Sequence, residues 1–252
     1  MRAGLIAGLL FALAAGGLCV RLGLWQVSRW HEKQARNAAL RTALAAEPIP
    51  VAEPLPKLSA VEDRRIEVSG RFDESRQVLL SAREQAELPG VEVVTPLLLP
   101  GDSVAVMVNR GWLYAPDAVH ARPQDYRERS PRAVRGLARS LGRRGAGLPY
   151  FTLESDSLHT LWSARTLDAD TLAARLPYAL APFVLLELPG KGVPEKPLRS
   201  TPRAQDEMMH LSYAIQWFLF ATIIFAGSIA LAWSKRPVRP RRRALPPLEP
   251  LR

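Results

Sequence analysis

The segment His210-Leu211-Ser212-Tyr213-Ala214-Ile215-Gln216-Trp217-Phe218 opens an uncharged stretch running from Met208 to Ser234. His210, Tyr213, Ala214 and Trp217 are spaced by three or four, so on a helix they share one face. An ionisable imidazole at the lip of an apolar span is a functional hypothesis by default, and its plain alternative is a histidine wetted by lipid headgroups. A second cluster is Gly23-Leu24-Trp25-Gln26-Val27-Ser28-Arg29 with Lys33 one turn on. Trp25, Arg29 and Lys33 follow i, i+4, i+8 and fall on one helix face, although Trp and Arg are also ordinary interfacial anchors. An imidazole for iron, aromatic walls, a cation for carboxylates and apolar space beside lipid are groups that a haem uses. His31 is a second imidazole in reach of the same region.

Two helices have to position these clusters. Residues 3–20 carry no charge, Arg21 interrupts, and residues 22–28 are again uncharged. A helix of about 27 residues at roughly 1.5 Å each reaches about 40 Å, enough for a hydrocarbon core of about 30 Å. Ala12-Leu13-Ala14 would suit signal-peptide cleavage, but the apolar run outlasts a usual signal, so a retained anchor is expected, with Arg21 snorkelling outward. The stretch Met208–Ser234 is the second span, with Trp217 and Trp233 near its flanks as anchors. Gly4, Gly8, Ala12 and Gly16 recur every four residues, as do Ala226 and Ala230. Such stripes allow helices to approach closely, or simply reflect a small-residue membrane composition.

Charge fixes the expected orientation. The net charge is +10, yet residues 30–234 hold 24 basic against 23 acidic residues, while residues 235–252 hold seven basic and one acidic. The surplus therefore sits beside the apolar segments as a topology signal, and no nucleic-acid partner is expected. Both termini read as cytoplasmic and the central domain as extracytoplasmic, which is periplasmic for a bacterial inner membrane. A single cysteine, Cys19, excludes a disulfide framework and cysteine-based metal sites. No G-x-S-x-G, H-E-x-x-H or P-loop is present, so the chain is not expected to be an enzyme. The Gly142–Gly147 stretch reads as a loop, and His120 and His159 as structural or surface residues.

The expected organisation is a first transmembrane helix at 3–28, a helical extension at 29–46, and a Pro-rich connector at 47–60. A β-rich domain at 61–189, a return loop at 190–207, a second transmembrane helix at 208–234 and a basic tail at 235–252 follow. Within the domain the hydrophobic period changes to two. Arg65-Ile66-Glu67-Val68-Ser69 alternates, residues 77–81 form a short apolar run, and residues 91–99 and 103–113 flank the Pro100-Gly101-Asp102 turn as a hairpin. Strands are also expected at 133–141, 158–165 and 183–188, and a helix at 168–176 capped by Asp168. The fold class is thus an α+β membrane protein, with two transmembrane helices flanking a mostly antiparallel β domain that carries one short helix.

These residues resemble a known family. Gly23-x-Trp25-Gln26-x-x-Arg29-x-x-x-Lys33, Val108-Asn109-Arg110-Gly111-Trp112-Leu113 and His210-Leu211-x-Tyr213-Ala214-x-x-Trp217-Phe218 are similar, in order and spacing, to three motifs of the surfeit locus family of cytochrome oxidase assembly factors. Pro89-Gly90-Val91 with Thr95-Pro96-Leu97 also resembles the family's segment ahead of its R-G-W motif. One departure is Asp206-Glu207-Met208-Met209, where the family commonly has an Asn. The resemblance implies an inner-membrane factor that binds haem a and assists its insertion into the catalytic subunit of cytochrome c oxidase. Haem a synthase and membrane lipid are the further partners it implies. It makes His210 the iron ligand; the mechanism expected here has Tyr213 and Trp217 wall the macrocycle and Arg29 pair a propionate, with Trp25 a further cofactor-binding residue. Arg110, Gly111 and Trp112 either contact a partner or pin the domain against the membrane. A scaffold that binds no haem is the alternative.

Overall fold

The first apolar stretch and the polar residues after it form one continuous helix, α1 (Arg2–Ala45). It has neither glycine nor proline from residue 24 to residue 45, so nothing local interrupts it. The computed structural model describes residues 2–142, 150–155 and 160–234. The basic tail at 235–252, His159 and residues 143–147 of the Gly-rich segment lie outside them. The chain divides into two units, one from Met1–Arg36 with Gln205–Arg252 and one from Asn37–Ala204.

The helical unit holds most of α1 and all of α4 (Met208–Ser234). Both helices are long and apolar enough to cross a membrane. Large apolar side chains stand uncovered on them, Phe11 at 77% and Ile223 at 67% exposure, a surface that water does not tolerate over such lengths and lipid does.

The second unit is a sheet-rich domain. Its strands are β1 (Ile49–Val51), β2 (Arg65–Phe72), β3 (Arg76–Gln85), β4 (Leu88–Leu98), β5 (Val104–Tyr114), β6 (Arg132–Ser140), β7 (Phe151–Ser155), β8 (Thr160–Ala164) and β9 (Ala179–Glu187). Two single-turn helices, α2 (Leu58–Val61) and α3 (Ala169–Ala173), complete it. Strand order is β1-β2-β6-β9-β5-β4-β3-β8-β7, and β2 also pairs with β4. That extra pairing, Arg71 opposite Leu98 and Phe72 opposite Leu97, closes β2, β6, β9, β5 and β4 into a five-stranded ring. Ile66, Val68, Leu97, Val106, Val108, Val134, Phe183 and Leu185 fill its interior. Strands β3, β8 and β7 continue from β4 as an extension with a separate apolar cluster around Trp162, Tyr150 and Leu172.

Alternation explains β2, whose Ile66, Val68, Gly70 and Phe72 point inward. Strand β4, which joins ring and extension, and its ring neighbour β5 are covered on both faces and read as nearly continuous apolar runs. The expected β4–β5 hairpin is present, with Leu98 opposite Ala105. Helix α3 begins at the expected cap, where the Asp168 carboxylate accepts from the Thr171 N–H at 2.9 Å. The Pro-rich connector contains a strand and a helical turn that were not expected. β1 pairs in parallel with β2 at the sheet edge, where Pro50 can turn its missing N–H outward. The end of α1 is held by Arg65 of β2, whose Nη1 donates to the carbonyls of Leu44 and Ala46 at 3.0 Å each, as cations do at helix C-termini.

Candidate functional site

The helical unit is built around a seam of small residues spaced by seven. A Cβ placed on Gly23 would meet the Phe218 ring at 2.7 Å, and one on Gly16 would meet the Phe225 ring at 2.5 Å. Ala214 and Ala221 are the buried residues of α4. Two phenylalanines seven apart thus sit over two glycines seven apart, in antiparallel register. The stripes of four are not the seam. Gly4 and Gly8 face open space and Ala226 and Ala230 are exposed. Positions four apart drift by about 40° per step around a helix, whereas positions seven apart drift by about 20°.

Where this seam reaches the start of α4, His210 Nδ1 lies 2.7 Å from Gln26 Oε1. An amide oxygen can only accept, so Nδ1 carries the proton and donates. In the neutral ring the lone pair is then on Nε2, which has no hydrogen-bond partner among the described residues. A neutral imidazole whose far nitrogen is held by an acceptor is the form in which histidine binds a metal. Gln26 stands inside the motif noted in the sequence, but nothing there assigned it a role. It sits three residues after Gly23, on the seam side of α1, a phase that only the packed helices reveal.

The other expected site residues divide by helical phase. Tyr213 and Trp217 lie on the His210 side of α4. Tyr213 is 48% exposed, and Trp217 is half-buried and meets Phe220 edge-on at 6.0 Å. Arg29 follows Gln26 by one turn but is engaged, pairing with Glu32, which also takes Arg36 at 2.7 Å. Lys33 donates to the Asp206 carbonyl at 3.3 Å. Trp25 points away from the seam at 53% exposure, so it does not join His210. Nor does His31, which is exposed and stacks on Trp30 with centroids 4.7 Å apart. Asp206, in the segment that departs from the family pattern, accepts from the Met208 N–H at 2.9 Å and caps α4.

The R-G-W motif lies in the sheet-rich unit and is internal. Arg110 is completely buried. Its guanidinium donates to Glu128 (2.9 and 3.0 Å), to the Tyr126 carbonyl (2.6 Å) and to Thr95 Oγ1 (3.3 Å). Glu128 also takes Arg132 and Arg199, and Arg199 reaches Glu187 at 2.8 Å. The Phe72 ring lies within 5.1 Å of the Arg110 guanidinium carbon and 5.2 Å of that of Arg132. Burial alone would push the Glu128 carboxyl up, but the guanidinium of Arg110, then those of Arg199 and Arg132, hold it below the usual carboxylate range.

The expectation that Arg110 meets a partner or the membrane is therefore corrected: every direction its side chain faces is protein. Gly111 has φ +110°, and a Cβ there would strike the Leu198 carbonyl oxygen at 2.5 Å. Trp112 exchanges both backbone hydrogen bonds with Leu198, at 3.0 and 2.8 Å. Its indole covers Gly90, where a Cβ would sit 2.3 Å from Nε1. Thr95, Gly90 and the R-G-W triplet, separate in the sequence, thus form one lock that holds the return segment through Leu198 and Arg199.

A profile of the SURF1 family matches residues 13–222, a range containing the Gly23–Phe218 contact, the His210–Gln26 pair and the lock. The chain belongs to the SURF1 family. It is 29% identical over 240 residues to a SURF1-like protein of Monosiga brevicollis, covering 90% of this chain and 87% of that one. Against Surfeit locus protein 1 of Rattus norvegicus it is 28% identical over 212 residues, 78% of this chain and 66% of the relative. Surfeit locus protein 1 of Arabidopsis thaliana is 34% identical over 128 residues, 46% of this chain and 33% of the relative. As a SURF1 member the chain is of the cytochrome oxidase assembly factor kind. Among the described residues no group of three or more His, Cys, Asp or Glu is placed to hold a metal ion, so a metal bound here by several protein ligands has no site in them.

Proposed function

We propose that this SURF1 protein is an inner-membrane carrier that receives haem a and assists its insertion into the catalytic subunit of cytochrome c oxidase. The observation that carries the reading is the His210–Gln26 pair. The contact with Gln26 suits the neutral Nδ1–H tautomer of His210, which leaves the Nε2 lone pair for iron. The donor set fits a haem, which asks for one imidazole and apolar walls where a bare metal ion asks for several ligands. Tyr213 and Trp217 flank the imidazole as walls. Arg29 can turn from its exposed pair with Glu32 to a propionate, because such surface pairs contribute only about 0–1 kcal/mol. A single protein ligand keeps binding reversible, which suits delivery. The chain itself then performs no bond chemistry; it binds, orients and releases.

The basic tail supports a cytoplasmic location for both termini, with the sheet-rich domain in the periplasm of a bacterial cell. The haem a synthase is then the donor and the catalytic subunit the acceptor, with the farnesyl tail of the haem left in lipid. The test is the visible spectrum of the detergent-purified protein from cells that make haem a, wild type beside His210→Ala. A low-spin haem spectrum that is lost in the variant supports the carrier. Absence of haem from both proteins removes it and leaves a scaffold of oxidase assembly.

A further inference from the structure

Trp30 stands on the seam face of α1, seven residues after Gly23 and four after Gln26. The register of the seam sets its level. Gly16 lies under Phe225 and Gly23 under Phe218, so the next step of seven, outward on α1 and backward on α4, brings Trp30 opposite Leu211, the neighbour of His210. The Trp30 ring is half-buried and stacks on His31. Its indole Nε1 is shielded from water and has no hydrogen-bond partner among the described residues. An indole nitrogen can only donate, and a shielded donor left unbonded costs free energy that an acceptor returns. Trp112 Nε1 is likewise unbonded, but it lies against Gly90 inside the sheet-rich unit. Trp30 is one helical turn from the residue that holds His210.

Lys33, three residues further on, shares this face. Its ammonium makes one long hydrogen bond, to the Asp206 carbonyl at 3.3 Å, and no ion pair with a carboxylate among the described residues. The adjacent Glu32 is taken by Arg29 and Arg36. We propose that Trp30 Nε1 and the Lys33 ammonium together bind a carboxylate of the molecule held at His210, a propionate of the haem. The assignment rests on the carrier function and adds to it a second point of attachment. A donor without an acceptor and a cation without an anion, one turn apart, suit a carboxylate, which accepts from both. Both groups lie outward of Gln26, so they hold the porphyrin with its acid edge toward the polar end of the span. Trp30 is only half-buried, and side-chain rotation at its rim admits the acceptor. Arg29, on a neighbouring phase of α1, is left for the other propionate.

The test titrates the detergent-purified full chain with haem a and with its dimethyl ester, read by absorption. Wild type, Trp30→Phe and Lys33→Gln are compared; the first variant keeps an aromatic ring and removes the N–H, the second removes the charge. Each should bind free-acid haem a about tenfold more weakly than wild type, as expected when a hydrogen bond to a charged group is lost. The ester should bind all three proteins alike. Equal affinity of the three for the free acid overturns the proposal. So does a loss in Trp30→Phe that is the same for acid and ester, which would make Trp30 a packing residue. Should Trp30→Phe fail to fold, Lys33→Gln, whose side chain is at the surface, decides by the same comparison. A wild type that binds acid and ester equally removes this subsite and leaves the carrier standing. A wild type that binds neither ends both.

Discussion

Gln26 Oε1 and His210 Nδ1 meet at 2.7 Å although 184 residues separate them. The contact exists because Gly23 lets Phe218 close the two helices beside it. Removing the acceptor should free the imidazole to rotate and to change tautomer. Outer-shell partners of a metal-binding histidine typically account for about 10–100-fold in affinity. Gln26→Leu should therefore lower haem retention by about that factor, while Gln26→Glu, which keeps an acceptor, should retain it. Haem titration of the three proteins, read by absorption, decides the point. Equal affinities would show that Gln26 does not orient the ligand.

The seam gives a paired test of helix packing. Gly23→Leu forces a branched side chain into the Phe218 ring, and overpacking of this kind costs about 1–3 kcal/mol. Gly8→Leu places the same side chain where nothing lies within 4 Å. Thermal unfolding in detergent should drop for Gly23→Leu and stay unchanged for Gly8→Leu. The reverse order would place the seam on the stripe of fours.

Much of this architecture was legible in the sequence. Both helices, the β4–β5 hairpin and the Asp168 cap follow from uninterrupted apolar runs, a Pro-Gly-Asp turn and a capping residue, all of which act locally. The ring closure was not legible, because the pairing of Arg71 and Phe72 with Leu98 and Leu97 depends on strand order, which alternation does not encode. Strand β1 was hidden by Pro50, read as a breaker when it stands at a sheet edge. At the candidate site His210 was visible as a lone ionisable group at the lip of a span. Gln26 was not, since a glutamine carries no signal until its partner's phase is known. Arg110 misled for a physical reason: an arginine in a strand reads as exposed until Glu128, Arg132, Glu187 and Arg199 are found clustered with it.

Those buried charges make the lock a stability element. Glu128 is 1% exposed and takes three arginines. Removing one member of a buried ion cluster strands the others, at about 3–5 kcal/mol. Glu128→Gln should destabilise the sheet-rich domain by about that amount, and Arg135→Gln, whose exposed pair with Glu67 lies outside the lock, by less than about 1 kcal/mol. Chemical unfolding followed by tryptophan fluorescence measures both. Similar small losses in the two variants would mean that the cluster relaxes or is hydrated.

The same carboxylate sets how the domain responds to acid. In the folded state Glu128 is held below its ordinary value of 4.5. A group whose folded pKa is depressed contributes stability that is complete above the unfolded value and is lost as pH falls through the folded one. Asp73 acts in the same direction. Burial raises its carboxyl, but hydrogen bonds from Ser75, Arg76 and Tyr178 overcome this and hold it below 3.8. Stability should therefore be level above about pH 5 and fall progressively below pH 4. Glu128→Gln, having lost one of these two carboxylates, should start lower and decline less steeply. Unfolding free energies at pH 6, 4 and 3 for both proteins provide the comparison, and parallel slopes would assign the acid sensitivity to other groups.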